Sequence, residues 1–161
     1  MKSLKVLVLV SIFTVGVIHS GKSDSFTSQT ALFDGEKWVG KWVKIWNTYD
    51  LNKVDELFLQ DDRLTYFSSE KEGAIIGIEK VRDHHEGFGF VPGGKDQPNK
   101  LWVEDLYSVD FGSSAVVTGI WYFQRSDGTK QRGPVTIVYI QQGNLFQIAH
   151  MNFSNYIDEE K

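Results

Sequence analysis

The spacing of apolar and polar residues changes period along the chain, and each change marks an element. From Glu36 to Tyr49, at about 100° per residue, Trp38, Val39, Trp42, Val43, Ile45, Trp46 and Tyr49 fill one broad side, while Lys37, Lys41, Lys44, Asn47 and Thr48 fill the other. This pattern predicts an amphipathic helix whose buried side is unusually aromatic. "DLNKVDELFLQDD" predicts a second, shorter helix, with Asp50 or Asn52 placed to accept from its unpaired first N–H groups and Leu51, Val54, Leu57 and Phe58 as its apolar side. "RLTYFS" reads as a strand and "EKEGAIIG" as a turn with a short strand, after which "IEKVRDHHEGF" returns to helical spacing.

"VPGGKDQPN" is a loop by its Pro and Gly content. The stretches "LWVEDLYSVDF", "AVVTGIWYFQR", "GPVTIVYIQQ" and "LFQIAHMNFS" follow, joined by "GSS", "SDGTKQR" and "GN", and such short connections make an antiparallel meander. Pro134 stands where a strand begins, which tolerates its missing N–H. Three helices followed by a strongly curved, mainly antiparallel sheet define one α+β domain over 31–157. If helix one lays its Trp-rich side in the hollow of the sheet, the result is a cone-shaped domain with a pocket.

Strand parity then assigns faces. Val117, Gly119, Trp121 and Phe123 share one side, as do Val135, Ile137 and Tyr139, so an apolar lining is expected there. Thr136, Val138 and Ile140 fall on the outer side, and His150 faces outward if Phe153 lines the pocket. Asp105 shares its parity with Leu101, Val103, Tyr107 and Val109, which makes it the best candidate for a carboxylate in apolar surroundings.

The two adjacent histidines of "VRDHHEGF" pose the sharpest chemical question. Ile78, Val81, His85 and Phe88 recur at offsets 0, 3, 7 and 10, so His85 sits on the buried stripe of the third helix, while His84 is expected to face water beside Lys80. Adjacent helical residues diverge too far to chelate one ion, and the i, i+4 pair of a zinc helix is missing, so no metal site is expected.

Composition narrows the partners. Lys2 and Lys5 precede "LVLVSIFTVGVI", a run too short for an ordinary span but suited to a signal peptide over 1–20, with a polar leader over 21–30. The expectation is a secreted or periplasmic protein with no membrane contact after cleavage. Removing residues 1–20 takes two lysines and no acid, so 17 bases against 21 acids become 15 against 21. With no Lys/Arg cluster, a nucleic-acid partner is not expected. The chain has no cysteine, hence no disulfide, and must be held by its core. No phosphate-cradling loop, nucleophile elbow or dinucleotide fingerprint is present, so no cofactor is expected, and "GFGFVPGG" reads as a mobile rim.

The order of elements, carried by "TYDLNKVDELFLQDDRLTYF", "GAIIGIEKVRDHH", "FQRSDG" and "FQIAHMNFS", resembles the nuclear transport factor 2-like superfamily. The resemblance is strongest to its SnoaL-like members and to the association domain of calcium/calmodulin-dependent protein kinase. It implies a cone-shaped fold, dimers through the outer sheet face, and a pocket that is catalytic in some members and only binding in others. The association domain's pocket arginines correspond to Trp121, Ile137 and Phe153 here, so the resemblance implies a cavity without carboxylate capture.

Three functions follow as expectations. The first is a non-catalytic pocket for an apolar or aromatic small molecule, lined by Trp42, Trp46, Tyr49, Tyr66, His85, Trp121, Ile137 and Phe153. The second is acid–base catalysis on a ketone of the SnoaL or ketosteroid-isomerase kind, with Asp105 as the base and Tyr49, Tyr66 or His85 at the oxyanion. The third is a homodimerisation module using Thr136, Val138, Ile140 and His150.

Overall fold

A computed structural model describes residues 32–157. The signal and leader segments expected over 1–30 lie outside the described residues. Helix α1 spans Gly35–Thr48 and starts where the Asp34 carboxylate accepts the Lys37 N–H at 3.0 Å. Trp38, Val39, Trp42, Ile45 and Trp46 are buried on it, as the spacing predicts. It ends at Tyr49, a left-handed residue with φ 50°, which turns the chain directly into α2 (Leu51–Leu57), capped by Asp50.

The short strands β1 (Thr65–Phe67) and β2 (Ile75–Ile76) follow, then α3 (Ile78–Gly87) and the long strands β3 (Lys100–Asp110), β4 (Ser114–Gln124), β5 (Lys130–Gln142) and β6 (Leu145–Phe153). They form one six-stranded sheet in the order β2-β1-β6-β5-β4-β3, antiparallel except for the parallel β1–β6 pair. The expected α+β architecture of three helices on a curved, mainly antiparallel sheet is what the chain adopts.

Two irregularities bend the sheet. Between Glu104 and Tyr107 a bulge interrupts the β3–β4 register, with Asp105 at φ 52°, and a second interrupts β5–β6 at Val138/Tyr139. Opposite the first lies Gly119, where an added Cβ would come within 2.9 Å of Val103 Cγ1 and 3.0 Å of the Glu104 carbonyl oxygen. Only glycine lets β3 approach β4 this closely. The edge of β3 is covered by α1, because the Asn47 side chain accepts from the Leu101 N–H (2.7 Å) and donates to its C=O (2.9 Å). Arg82 of α3 pairs with Asp55 of α2, tying the other two helices together.

Candidate functional site

The sheet supplies the floor. Trp121, Ile137 and Phe153 all face the helices and are buried, which agrees with the strand parity. Tyr66 joins them because the parallel pairing of β1 with β6 sets it beside Met151. α1 supplies the roof with Trp42 and Trp46, and α3 drives His85 between roof and floor. The resulting ring cluster is continuous: His85 lies 5.5 Å from Trp46, 5.6 Å from both Phe58 and Tyr66, and 5.0 Å from Phe90, centroid to centroid. Tyr66 reaches Phe153 at 5.5 Å, and Phe153 reaches Trp121 at 5.5 Å and Trp42 at 6.2 Å.

The electrostatics of this cluster follow from what its polar atoms touch. His85 Nδ1 sits 2.7 Å from the Val81 carbonyl oxygen, which can only accept, so Nδ1 carries the proton and Nε2 presents a lone pair. Burial pushes the His85 pKa down to about 4, so the ring is neutral near pH 7. Its Nε2 has no hydrogen-bond partner, and neither do Trp42 Nε1, Trp46 Nε1, Tyr66 Oη and His84 Nε2. Burial raises the Tyr66 pKa well above its ordinary value, so this hydroxyl stays a donor. A buried polar atom left unpaired costs about 1–3 kcal/mol, and here donors and an acceptor gather in one region.

Other expectations are redirected by the structure. His84 does not face open water: its ring packs 5.4 Å from Tyr66 and 5.0 Å from Phe88, and burial lowers its pKa. A helical wheel places His84 away from the stripe but cannot see that β1 brings Tyr66 against it. Asp105 is exposed, because the bulge adds a residue and breaks the alternation on which its inward placement rested. Leu106 packs on the core instead, and Tyr107 is 68 % exposed. Tyr49 is buried at the edge of the cluster, its ring stacked on Phe90 at 4.5 Å and 6.3 Å from Trp46, but its hydroxyl is already engaged, accepting from Asn99 Nδ2 at 2.9 Å. Trp121 lines the floor with its indole N–H already donating to the Ser154 carbonyl at 3.0 Å.

The glycine-rich stretch is stitched down and is not a loose rim. Leu51 N–H donates to the Val91 carbonyl, Val91 N–H to Tyr49, and Lys95 N–H to Thr48, so the loop zips onto the α1–α2 junction. This drives Phe90 into the cluster, where it stands 5.1 Å from Trp46. Phe58, Phe88, Phe90 and His84 belong to the cluster but are absent from the sequence-based site. Phe58 was readable as an apolar position of α2, whereas Phe90 lies in a stretch with no periodicity. Among the described residues, no three His, Cys, Asp or Glu side chains are grouped to hold a metal ion.

No family model matches the chain, and no curated protein matches its sequence. Solved structures do match its architecture. A protein of unknown function from Pseudomonas putida KT2440, described as NTF2-like, superposes with a TM-score of 0.66 at 17 % identity, over 78 % of this chain and 86 % of its own. The fold is that of nuclear transport factor 2. Two further NTF2-like neighbours bear functional names. A candidate ketosteroid isomerase from Parabacteroides distasonis gives a TM-score of 0.62 at 19 % identity, over 80 % of this chain and 92 % of its own. The association domain of C. elegans CaMKII gives 0.59 at 18 % identity, over 73 % and 90 %. The NTF2-like fold thus carries proteins with different names, and the site has to speak for this chain.

Proposed function

We propose that this domain binds a neutral, mainly apolar small molecule at the His85 end of its cone, without catalysing a reaction on it. The observation that carries the reading is the gathering of unpaired polar atoms, Trp46 Nε1, Tyr66 Oη, His84 Nε2 and His85 Nε2, inside an aromatic shell. The indole and the phenol donate, so the ligand offers an acceptor such as a carbonyl or ether oxygen; His85 Nε2 accepts, so the ligand also offers a hydroxyl or N–H. A charged ligand is disfavoured, since the buried polar residues among those described are Ser68 and the neutral His85. Phe88 and Phe90 pack against Trp46, so on this reading a ligand is admitted by their displacement.

The test is titration with 7-amino-4-methylcoumarin, a neutral fluorophore carrying both a carbonyl acceptor and an N–H donor. Saturable binding that weakens about tenfold in Tyr66→Phe or His85→Phe, with the fold intact by circular dichroism, is the expected result. Equal affinity in wild type and both variants would remove these atoms from the site. The acid–base reading loses its carboxylate to solvent at Asp105, and His85 is a weak base near pH 7.

A homodimer through the outer sheet face is the second proposal. Thr136, Val138, Ile140 and His150 are half-buried on that face, while Phe67, Ile76 and Tyr107 are 38 %, 51 % and 68 % exposed there. Light scattering should give twice the monomer mass, and Val138→Lys should halve it. A wild-type monomer at micromolar concentration would exclude this interface.

A further inference from the structure

A second concavity lies outside the cone, on the far flank of α1. It is a groove of about 780 Å³ between α1, α2 and the start of β6, within the range of small-molecule sites. Its floor is Trp38, Ile45, Leu57 and Phe146, each buried, with the 56 % exposed Leu145 at one side. Its rim is basic: Lys41 and Lys44 stand three residues apart on α1, with Lys53 across from them on α2. This is notable in a chain whose formal net charge is −4.

The carboxylates of the groove are already engaged. Glu56 holds Lys53 Nζ at 2.7 and 2.8 Å, and Asp50 Oδ1 accepts from the N–H groups of Asn52 (3.1 Å) and Gly93 (3.2 Å). Among the described residues no carboxylate lies within salt-bridge distance of Lys41; its ammonium rests 3.6 Å above the Trp38 ring, held over the apolar floor by a cation–π contact. Partial burial and the neighbouring Lys37 lower its pKa, outweighing the opposite influence of Glu56, and an anion at the rim would offset that lowering.

We propose that this groove is a separate binding site for a single-chain carboxylate amphiphile of the fatty-acid type, its chain on Trp38, Ile45, Leu57 and Phe146 and its carboxylate between Lys41 and Lys44. Charge complementarity fixes the sign of the ligand, and the apolar floor fixes its body. A free molecule fits better than a bilayer surface, because the apolar residues are recessed beneath the lysines, whereas a membrane-docking face projects them. The site is independent of the His85 cluster, which calls for a neutral ligand.

Isothermal titration of the whole chain with laurate, below its micelle concentration, tests the assignment. Expected is one saturable site in wild type, weakened about tenfold or more in Lys41→Gln/Lys44→Gln, while Lys80→Gln, exposed on α3 away from the groove, and His85→Phe bind as wild type. Dodecanol should bind at least about tenfold more weakly than laurate, and added salt should weaken laurate alone. Absence of saturable binding, equal affinity in the double variant, or loss on His85→Phe would overturn it. So would binding only to anionic vesicles, which points to a membrane surface, or a groove blocked by residues 22–31 or a second copy, seen as laurate binding gained only after cleavage or dilution.

Discussion

Two aromatic clusters share the inside of this fold, built from the same kinds of residue but finished differently. At one end Phe33, Trp38, Tyr139 and Phe146 pack ring to ring, with centroids 5.0 Å apart for Phe33–Phe146 and 5.8 Å for Trp38–Phe146. There a single buried polar atom, Tyr139 Oη, lacks a partner. At the other end Trp46, Tyr66, His84 and His85 pack at similar separations but leave four polar atoms unpaired. The inward sides of one cluster serve cohesion, with only the outer edges of Trp38 and Phe146 reaching the groove, whereas the other is proposed to recognise a ligand inside the cone. What separates them is the placement of N–H, O–H and lone pairs, not the amount of apolar surface.

Truncating the cohesive end should have the largest effect. Phe146→Ala leaves a void beneath Trp38 and Phe33 and is expected to cost about 3–5 kcal/mol in denaturant unfolding, with the neutral-probe affinity of the remaining folded protein unchanged. A comparable loss of probe affinity would show that the two ends do not act separately.

Acid should act on the His85 end. The folded state keeps His85 neutral down to about pH 4, whereas an unfolded histidine protonates near pH 6.5, so the unfolded chain binds more protons between these values. The stability contributed by neutral His85 is therefore complete above about pH 6.5 and is lost as pH falls towards about 4, amounting to about 3 kcal/mol. His84, lowered mainly by burial, adds in the same direction. Unfolding midpoints measured across this window should decline in wild type and flatten in His85→Phe.

Removing single hydroxyls gives a smaller and more discriminating contrast. Tyr66→Phe and Tyr139→Phe each delete an unpaired buried oxygen and are expected to raise stability by up to about 1 kcal/mol. Only Tyr66→Phe should weaken the probe. If instead Tyr66→Phe is destabilising, its hydroxyl serves the resting fold and not a ligand.

The smallest effect belongs to Asp105→Asn. The side chain is exposed, and asparagine tolerates the left-handed backbone of the bulge, so stability should change by less than about 0.5 kcal/mol and probe binding not at all. A collapse of binding would return Asp105 to the site.

Much of this molecule was legible in the order of its residues, and the exceptions have physical causes. The helical period of Trp38, Trp42 and Trp46 and the two-residue period of Val117, Trp121 and Val135, Ile137 are local properties, so the buried faces of α1, β4 and β5 could be read directly. His85 followed from its place in the stripe with Ile78 and Val81. Asp105 failed because a bulge shifts parity by one residue without changing composition; the available hints were Leu106 out of phase and Gly119 facing the gap. The docking of "GFGFVPGG" onto the α1–α2 junction is made by backbone hydrogen bonds, which leave no side-chain signature. Lys41 and Lys44 were legible as the polar side of a helix, but the floor beneath them comes partly from β6, about a hundred residues further along the chain.

The most direct test of the recognition site is a high-resolution crystal structure of the protein as purified, read at the His85 cluster. The expected result is density for a bound molecule with polar atoms about 2.7–3.2 Å from Trp46 Nε1, Tyr66 Oη and His85 Nε2, and with Phe88 or Phe90 displaced. Rings closed upon one another with no density between them, in a protein that also fails to take up the neutral probe, would contradict it.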